Sequence, residues 1–205
     1  ACKLNYIDAF RSIGLVYYHG IGVPKDVNKS IFYFEKAADQ NNLKAILMLG
    51  YIYSYSHKVP KDINKSIFYY KKAADDFQDK EAQYYLGCIH YNKELGVFDI
   101  NKAIKYFSLA ANQNDAQSNL ILGNIYFFKK YIDRDIKKAI YYYSTAAKLN
   151  QPDALVMLGN FYRDGKFVEK NINKAIYYYS LAAKQNFPWA QLSLGRIYLY
   201  GDNIK

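Results

Sequence analysis

Cysteine and histidine are scarce in this chain. Its 205 residues include two cysteines, Cys2 and Cys88, and three histidines, His19, His57 and His90. Two distant cysteines that do not recur exclude a disulfide framework and a cysteine-based metal site, and leave at most one bridge between them open. No two histidines stand four apart on a helix, so the histidine pair of a helical zinc site is missing. No apolar run approaches the ~20 residues of a membrane span, and no signal peptide is visible. The chain begins at Ala1 rather than Met, which leaves a leader or an upstream region open.

Catalytic signatures are equally sparse. There is no Gly-x-Ser-x-Gly, no Cys/His pair and no carboxylate pair with an acid–base role. Gly20-Ile21-Gly22 has no strand before it and makes a poor phosphate loop. Asp75, Asp76 and Asp79 fall in one turn and read as solvated. His90 reads as a packed side chain rather than a ligand. The expectation is a chain without cofactor, metal or enzymatic activity.

What is present is globular: 51% hydrophobic, 18% aromatic and 22% charged residues. The net charge of +10 raises an anionic partner as a possibility. Lysines are spread along the chain, however, and the densest group (Lys129, Lys130, Arg134, Lys137, Lys138) reads as solvated surface. Tyrosine appears 24 times. Tyr, Lys, Asn and Ile all have AT-rich codons, so composition bias and a selected aromatic face both account for the excess.

Internal repetition dominates everything else. A Gly preceded by Leu or Ile recurs at Gly14, Gly50, Gly87, Gly123, Gly159 and Gly195, with spacings of 36, 37, 36, 36 and 36. A double Ala recurs in phase, ending at Ala38, Ala74, Ala111, Ala147 and Ala183, always 24 residues after the Gly. The one extra residue therefore lies between Ala74 and Gly87, and is placed in the turn Asp75–Lys80, where chains tolerate insertion.

Each unit reads as two helices. Helix A carries a small residue five before the Gly, an apolar residue two after it, and an aromatic three after it: Tyr17, Tyr53, His90, Tyr126, Tyr162 and Tyr198. These offsets share one helical face. Gly inside a helix costs ~1 kcal/mol relative to Ala, so its recurrence implies a helix approach too close for a Cβ. Helix B opens after Asp26, Asp62, Asp99, Asp135 or Asn171, residue types that cap helix starts. Triplets such as Ser66/Tyr70/Ala73 and Ala139/Tyr143/Ala146 then set an aromatic between small residues. Helices this short are marginal alone in water, so burial must come from stacked neighbours.

The pattern Ala-x-x-x-Leu-Gly-x-x-Tyr, a Gly- and Val-containing loop (fullest at Tyr17–Asp26), Asp-x-x-Lys-Ala and a closing Ala-Ala resembles the Sel1-like repeat, a relative of the tetratricopeptide repeat. The resemblance spans nearly the whole chain. Departures are local: Ser56, Lys93 and Lys129 stand where Gly20, Gly165 and Gly201 supply a loop glycine, and Ser30 and Ser66 replace the helix B Ala. It implies an all-α fold, an α-solenoid of about five and a half antiparallel helix pairs in a right-handed superhelix. The expected organisation is one domain over 1–205, with repeats at about 5–40, 41–77, 78–113, 114–149, 150–185 and a half repeat 186–205. It also implies an adaptor that binds other proteins. The paired cysteines of a disulfide-clipped subgroup are missing.

In such a stack the A helices line the concave face. Positions one and four after the Gly are expected to point away from helix B. They are Leu15, Tyr51, Cys88, Asn124, Asn160 and Arg196, then Tyr18, Ser54, Tyr91, Phe127, Arg163 and Leu199. The candidate partner-binding residues are Tyr18, Tyr51, Tyr91, Asn124, Phe127, Asn160, Arg163, Arg196 and Leu199. Tyr and Arg are frequent interface anchors. The expected occupant is an extended peptide whose acidic or C-terminal end meets Arg163 and Arg196. The alternatives are nucleic acid drawn by the basic surface, and a glycan stacked on exposed Tyr. The groove positions carry no Lys, which favours protein over nucleic acid. The chain is expected to be a monomer in the cytoplasm, with a secreted or periplasmic location after leader removal as the alternative.

Overall fold

A computed structural model describes residues 2–55 and 59–201, except the side chains of 2–5, 7 and 200. Ser56, His57 and the side chain of Cys2 lie outside the described residues. Those residues hold eleven α-helices and no strand. They are α1 (Cys2–His19), α2 (Val27–Ala38), α3 (Leu43–Tyr55), α4 (Ile63–Asp76), α5 (Lys80–Tyr91), α6 (Ile100–Asn112), α7 (Ala116–Phe127), α8 (Ile136–Lys148), α9 (Pro152–Asp164), α10 (Ile172–Ala183) and α11 (Pro188–Tyr200). Odd-numbered helices are A helices and even-numbered ones B helices, as the repeat requires.

The chain forms two compact units, 1–106 and 107–205, divided within α6. Unit 1 stacks the hairpins α1/α2 and α3/α4 with α5 and the first part of α6. Its core centres on the fully buried Phe34, Leu49, Ile52, Tyr70, Leu86 and Ile89. Unit 2 contains the hairpins α7/α8 and α9/α10 and then α11. Tyr143, Leu155, Leu158 and Phe161 anchor one of its clusters, and Tyr179 and Ile197 another.

One residue per repeat joins the two helices of a hairpin. The side chains of Asp26, Asp62, Asp99, Asp135 and Asn171 accept from the backbone N–H three residues on, at 2.9–3.0 Å. The same residues donate their own N–H to the carbonyls of Tyr17, Tyr53, His90, Tyr126 and Tyr162 at 2.8–3.0 Å. Each therefore starts helix B and ties down the end of helix A.

The recurring glycine is explained by the ring opposite it. A Cβ at Gly14 would lie 2.7 Å from the Phe34 ring, at Gly50 2.7 Å from Tyr70, at Gly123 2.7 Å from Tyr143 and at Gly159 2.6 Å from Tyr179. Those rings are fully buried and have nowhere to retreat. The small residues before and after each aromatic on helix B let it sit this close.

The aromatic three after the Gly packs against helix B, buried at Tyr53 and His90 and half-buried at Tyr17, Tyr126 and Tyr162. Tyr17 stacks on Tyr33, Tyr53 on Tyr69, His90 on Tyr106, Tyr126 on Tyr142 and Tyr162 on Tyr178, with centroids 5.7–6.0 Å apart and planes within 9°. The Lys of Asp-x-x-Lys covers four of these stacks: Lys29, Lys65, Lys138 and Lys174 lie 5.0–5.3 Å from the rings of Tyr17, Tyr53, Tyr126 and Tyr162. His90 substitutes cleanly in this set: it is buried, and its Nδ1 lies 3.1 Å from the Val97 carbonyl. Tyr198 departs from the expectation. It is 71% exposed, because no helix B follows α11 among the described residues to stack on it.

The turns from B to A are closed by residues with left-handed backbone: Asn41, Asn114, Asn150 and Asn186 at φ 58–60°, and Gln78 at φ 51°. Asn tolerates this region better than most residues. The extra residue of the second repeat falls just before Gln78, at the end of the long helix α4, inside the turn where the spacing placed it. Loops lacking the usual glycine do change: after α5 the chain makes a short 3-10 helix at Lys93–Leu95 and uses Gly96 at φ 73°.

Candidate partner-binding site

The helical offsets that bury one face of each A helix leave another face free. In unit 1 that face encloses a cavity of about 480 Å³, lined by Arg11, Leu15, Tyr18, His19, Lys44, Leu47, Met48, Tyr51, Tyr70, Glu81 and Tyr85. This volume falls in the ordinary range of ligand sites. The walls come from three successive A helices, and the floor is the ring of Tyr70 from helix B. The predicted groove positions Leu15, Tyr18 and Tyr51 meet here. Arg11, one turn before Leu15 on α1, escaped the sequence reading, although its spacing from Leu15 and Tyr18 puts it on the same face. Lys44, Met48 and Tyr85 escaped because they lie further toward the helix starts than the positions considered.

The aromatic lining is interlocked. Tyr70 stacks on Tyr85 with centroids 5.1 Å apart, Tyr51 stacks on Tyr55 at 5.6 Å, and Lys25 lies 5.2 Å from the Tyr18 ring. Burial pushes the Tyr70 hydroxyl far above the ordinary phenol range, with the neighbouring Tyr85 adding to it. Burial also raises Tyr18 and Tyr85, the latter further through Glu81. All are neutral donors at physiological pH.

The other predicted positions fare unevenly. Ser54 does not line a groove: it is buried and donates to the Gly50 carbonyl at 2.9 Å. Asn124 and Asn160 point partly back toward helix B, where their side-chain oxygens accept from the hydroxyls of Tyr143 at 2.8 Å and Tyr179 at 2.7 Å. Phe127 is half-buried against the core of unit 2, 5.3 Å from Phe161 and 5.6 Å from Phe167. Arg163 is only partly exposed and donates through Nε to its neighbour Asp164 at 2.7 Å. Tyr91 is half-buried in unit 1. In unit 2, Arg196 and Leu199 are exposed on α11, Leu199 at 76%. The offsets one and four after the Gly sit at the edge of the packed face, so short polar side chains there fold inward and Phe127 leans against the core.

Among the described residues no group of three His, Cys, Asp or Glu side chains converges to hold a metal, and no helix is long and apolar enough to cross a membrane.

Stacked helix hairpins with a glycine-to-ring contact in four of the repeats define an α-solenoid repeat protein. The Sel1 repeat pattern matches residues 11–42, 43–76, 80–115, 116–151, 152–187 and 190–205, and the chain belongs to the Sel1 repeat family. Proteins of this family are typically scaffolds for protein–protein interaction. Among solved structures, a protective antigen of uropathogenic Escherichia coli is 32% identical with a TM-score of 0.78, the match covering 97% of this chain and 42% of that one. A Sel1 repeat protein of Oxalobacter formigenes is 33% identical with a TM-score of 0.81, covering 95% and 57%. The cysteine-rich protein B of Helicobacter pylori is 30% identical with a TM-score of 0.52, covering 67% and 98%. The chain thus spans about two fifths and somewhat over half the length of the first two. No curated protein matches it.

Proposed function

We propose that the chain is a non-catalytic scaffold that captures a protein partner on the free faces of its A helices, with the cavity of unit 1 as the principal contact. The observation that supports this most directly is the meeting of Leu15, Tyr18 and Tyr51 around one cavity, at repeat positions that vary between units while the packing positions hold constant. Tyr18, Tyr51 and Tyr91 are the proposed contacts in unit 1, and Arg196 and Leu199 in unit 2. Asn124, Phe127, Asn160 and Arg163 contribute through whatever edge their internal partners leave free. Nucleic acid is the weaker reading, because the recurring lysines are engaged locally. Lys29, Lys102 and Lys138 pair with Asp26, Asp99 and Asp135 at 3.3–3.7 Å, and several cover tyrosine rings.

The test is affinity capture from the native source, with partners identified by mass spectrometry. Wild type is compared with Tyr18→Ala/Tyr51→Ala, and a salt titration with single-stranded RNA runs alongside. Loss of the captured protein in the double variant at unchanged melting temperature is the expected result. Undiminished capture, or RNA binding that weakens steeply with salt, overturns the reading.

A further inference from the structure

Helix B carries a second aromatic, two residues before its buried ring. It is Phe32 on α2, Phe68 on α4, Tyr141 on α8 and Tyr177 on α10, each between 51% and 65% exposed. The tyrosine that follows packs edge-on against each of these rings, with centroids 5.2–5.3 Å apart. The rings are thus held on the surface before anything binds, which lowers the ordering cost of a contact. Offsets of three, four and seven residues from the ring mark one stripe along each helix. In unit 1 that stripe is mixed in charge. Lys29 precedes Phe32 and Asp39 ends the stripe, and Lys65 precedes Phe68 and Asp75 ends it. In unit 2 the stripe is basic throughout: Lys137, Lys138, Tyr141, Thr145 and Lys148 along α8, and Lys174, Tyr177 and Lys184 along α10. Neither α8 nor α10 contains an Asp or a Glu.

Local structure uses only part of this charge. Lys138 pairs with the cap Asp135 at 3.6 Å, and Lys174 covers the Tyr162 ring at 5.0 Å. Lys137, Lys148 and Lys184 are exposed, and among the described residues none of them forms an ion pair. A Lys at a helix C-terminus suits the macrodipole, yet unit 1 ends the same stripes on Asp39 and Asp75, so the fold does not require it. The two stripes are neighbours. Tyr178 and Leu181 of α10 pack on the cluster that holds Tyr143 and Ala147 of α8, and Gln185 donates to the Asn150 carbonyl at 3.0 Å, tying together the helix ends that carry Lys184 and Lys148. Beyond the A-helix contacts proposed above, we infer that the exposed stripe of α8 and α10 is a second docking surface, for an extended acidic segment of a partner protein. Carboxylates at the two ends of the segment meet Lys137 at one end of the stripe and Lys148 and Lys184 at the other, and its apolar centre lies on Tyr141 and Tyr177. Lys137 and Lys148 are about 16 Å apart along the helix axis, a length spanned by about six extended residues. A nucleic-acid strand matches less well, because its charges recur at every nucleotide while the unpaired lysines sit only at the ends of the stripe.

The experiment titrates the full chain with acetyl-Glu-Glu-Leu-Leu-Glu-Glu-amide, the same peptide with Gln for Glu, and decauridylate, followed by backbone amide chemical shifts. The acidic peptide is expected to shift Lys137, Tyr141, Lys148, Tyr177 and Lys184. It should bind about tenfold more tightly than the Gln peptide, the sum of a few exposed ion pairs, and the preference should shrink at high salt. Lys148→Asp/Lys184→Asp gives unit 2 the charges of unit 1. It folds as wild type does, since unit 1 folds with Asp at these positions, and it loses the preference. Tyr141→Ser/Tyr177→Ser weakens both peptides alike. Equal binding of the two peptides, an unchanged preference in Lys148→Asp/Lys184→Asp, or tighter binding of decauridylate than of the acidic peptide overturns the inference. Tyr18→Ala/Tyr51→Ala should leave the acidic peptide bound. If that variant abolishes it, the peptide sits in the cavity of unit 1, and the second surface falls while the scaffold reading stands.

Discussion

Unit 1 and unit 2 solve the same packing problem with one difference. Both press a helix B aromatic against a helix A glycine, at 2.7 Å from a notional Cβ for Gly50 and Gly123 alike. In unit 2 an Asn beside the glycine accepts a hydrogen bond from the tyrosine hydroxyl. In unit 1 a Tyr stands there, and the hydroxyl of Tyr70 is buried without an acceptor. The difference shows that a repeat can vary beside its packing positions without disturbing its fold. Positions that touch the ring are constrained to near identity, whereas the next residue along is free to supply an acceptor or to leave the hydroxyl without one.

Alkali tests what the two units share. Burial raises Tyr70 and Tyr143 above the ordinary phenol range, so the folded chain keeps protons that the unfolded chain releases above about pH 10. Stability from these groups is therefore complete below that pH and falls as pH rises beyond it. Absorbance at 295 nm and far-ultraviolet circular dichroism should change together, with no early titration of either tyrosine. The next effect in size comes from the glycines. Gly50→Ala and Gly123→Ala should each destabilise by about 1–2 kcal/mol, the strain of overpacking outweighing the gain in helix propensity. Gly195→Ala, where a Cβ meets nothing within 4 Å, should instead stabilise by up to ~1 kcal/mol. Thermal denaturation separates the signs.

Smaller effects isolate the contrast itself. Asn160→Ala should cost about 1–2 kcal/mol by leaving the Tyr179 hydroxyl unpaired, and Tyr143→Phe about 1 kcal/mol by stranding Asn124. Tyr70→Phe should cost nothing. Smallest of all, Tyr51→Asn copies unit 2 into unit 1 and should stabilise by under ~1 kcal/mol, while removing an aromatic wall of the cavity. A cost for Tyr70→Phe equal to that of Tyr143→Phe, read by chemical denaturation, would erase the distinction between the units.

Much of the fold was legible because packing acts at fixed offsets. The Gly ladder, the Asp and Asn caps and the small–aromatic–small triplets each appear in the structure at the residues that carry them. The position of the inserted residue was legible too, since only a turn absorbs one. Less legible was the left-handed Asn in four B-to-A turns: its spacing is regular, but its φ is visible only in the folded backbone. The candidate site was half legible. Leu15, Tyr18 and Tyr51 came from periodicity. The inward turn of Asn124 and Asn160 and the partial burial of Phe127 did not, because each depends on what the neighbouring helix offers a side chain at the edge of the packed face; nor did the Arg163–Asp164 pair, which is a choice of rotamer.

The sequence by itself determined the repeat, its phase, its helical nature and the residue that begins each B helix, since these follow from local propensity and from spacing along one chain. Tertiary structure alone decided which boundary residues close a hydrogen bond and which leave a buried donor without an acceptor. That outcome turns on a few tenths of a nanometre between side chains about 19 residues apart, such as Tyr143 and Asn124, a distance no periodicity encodes.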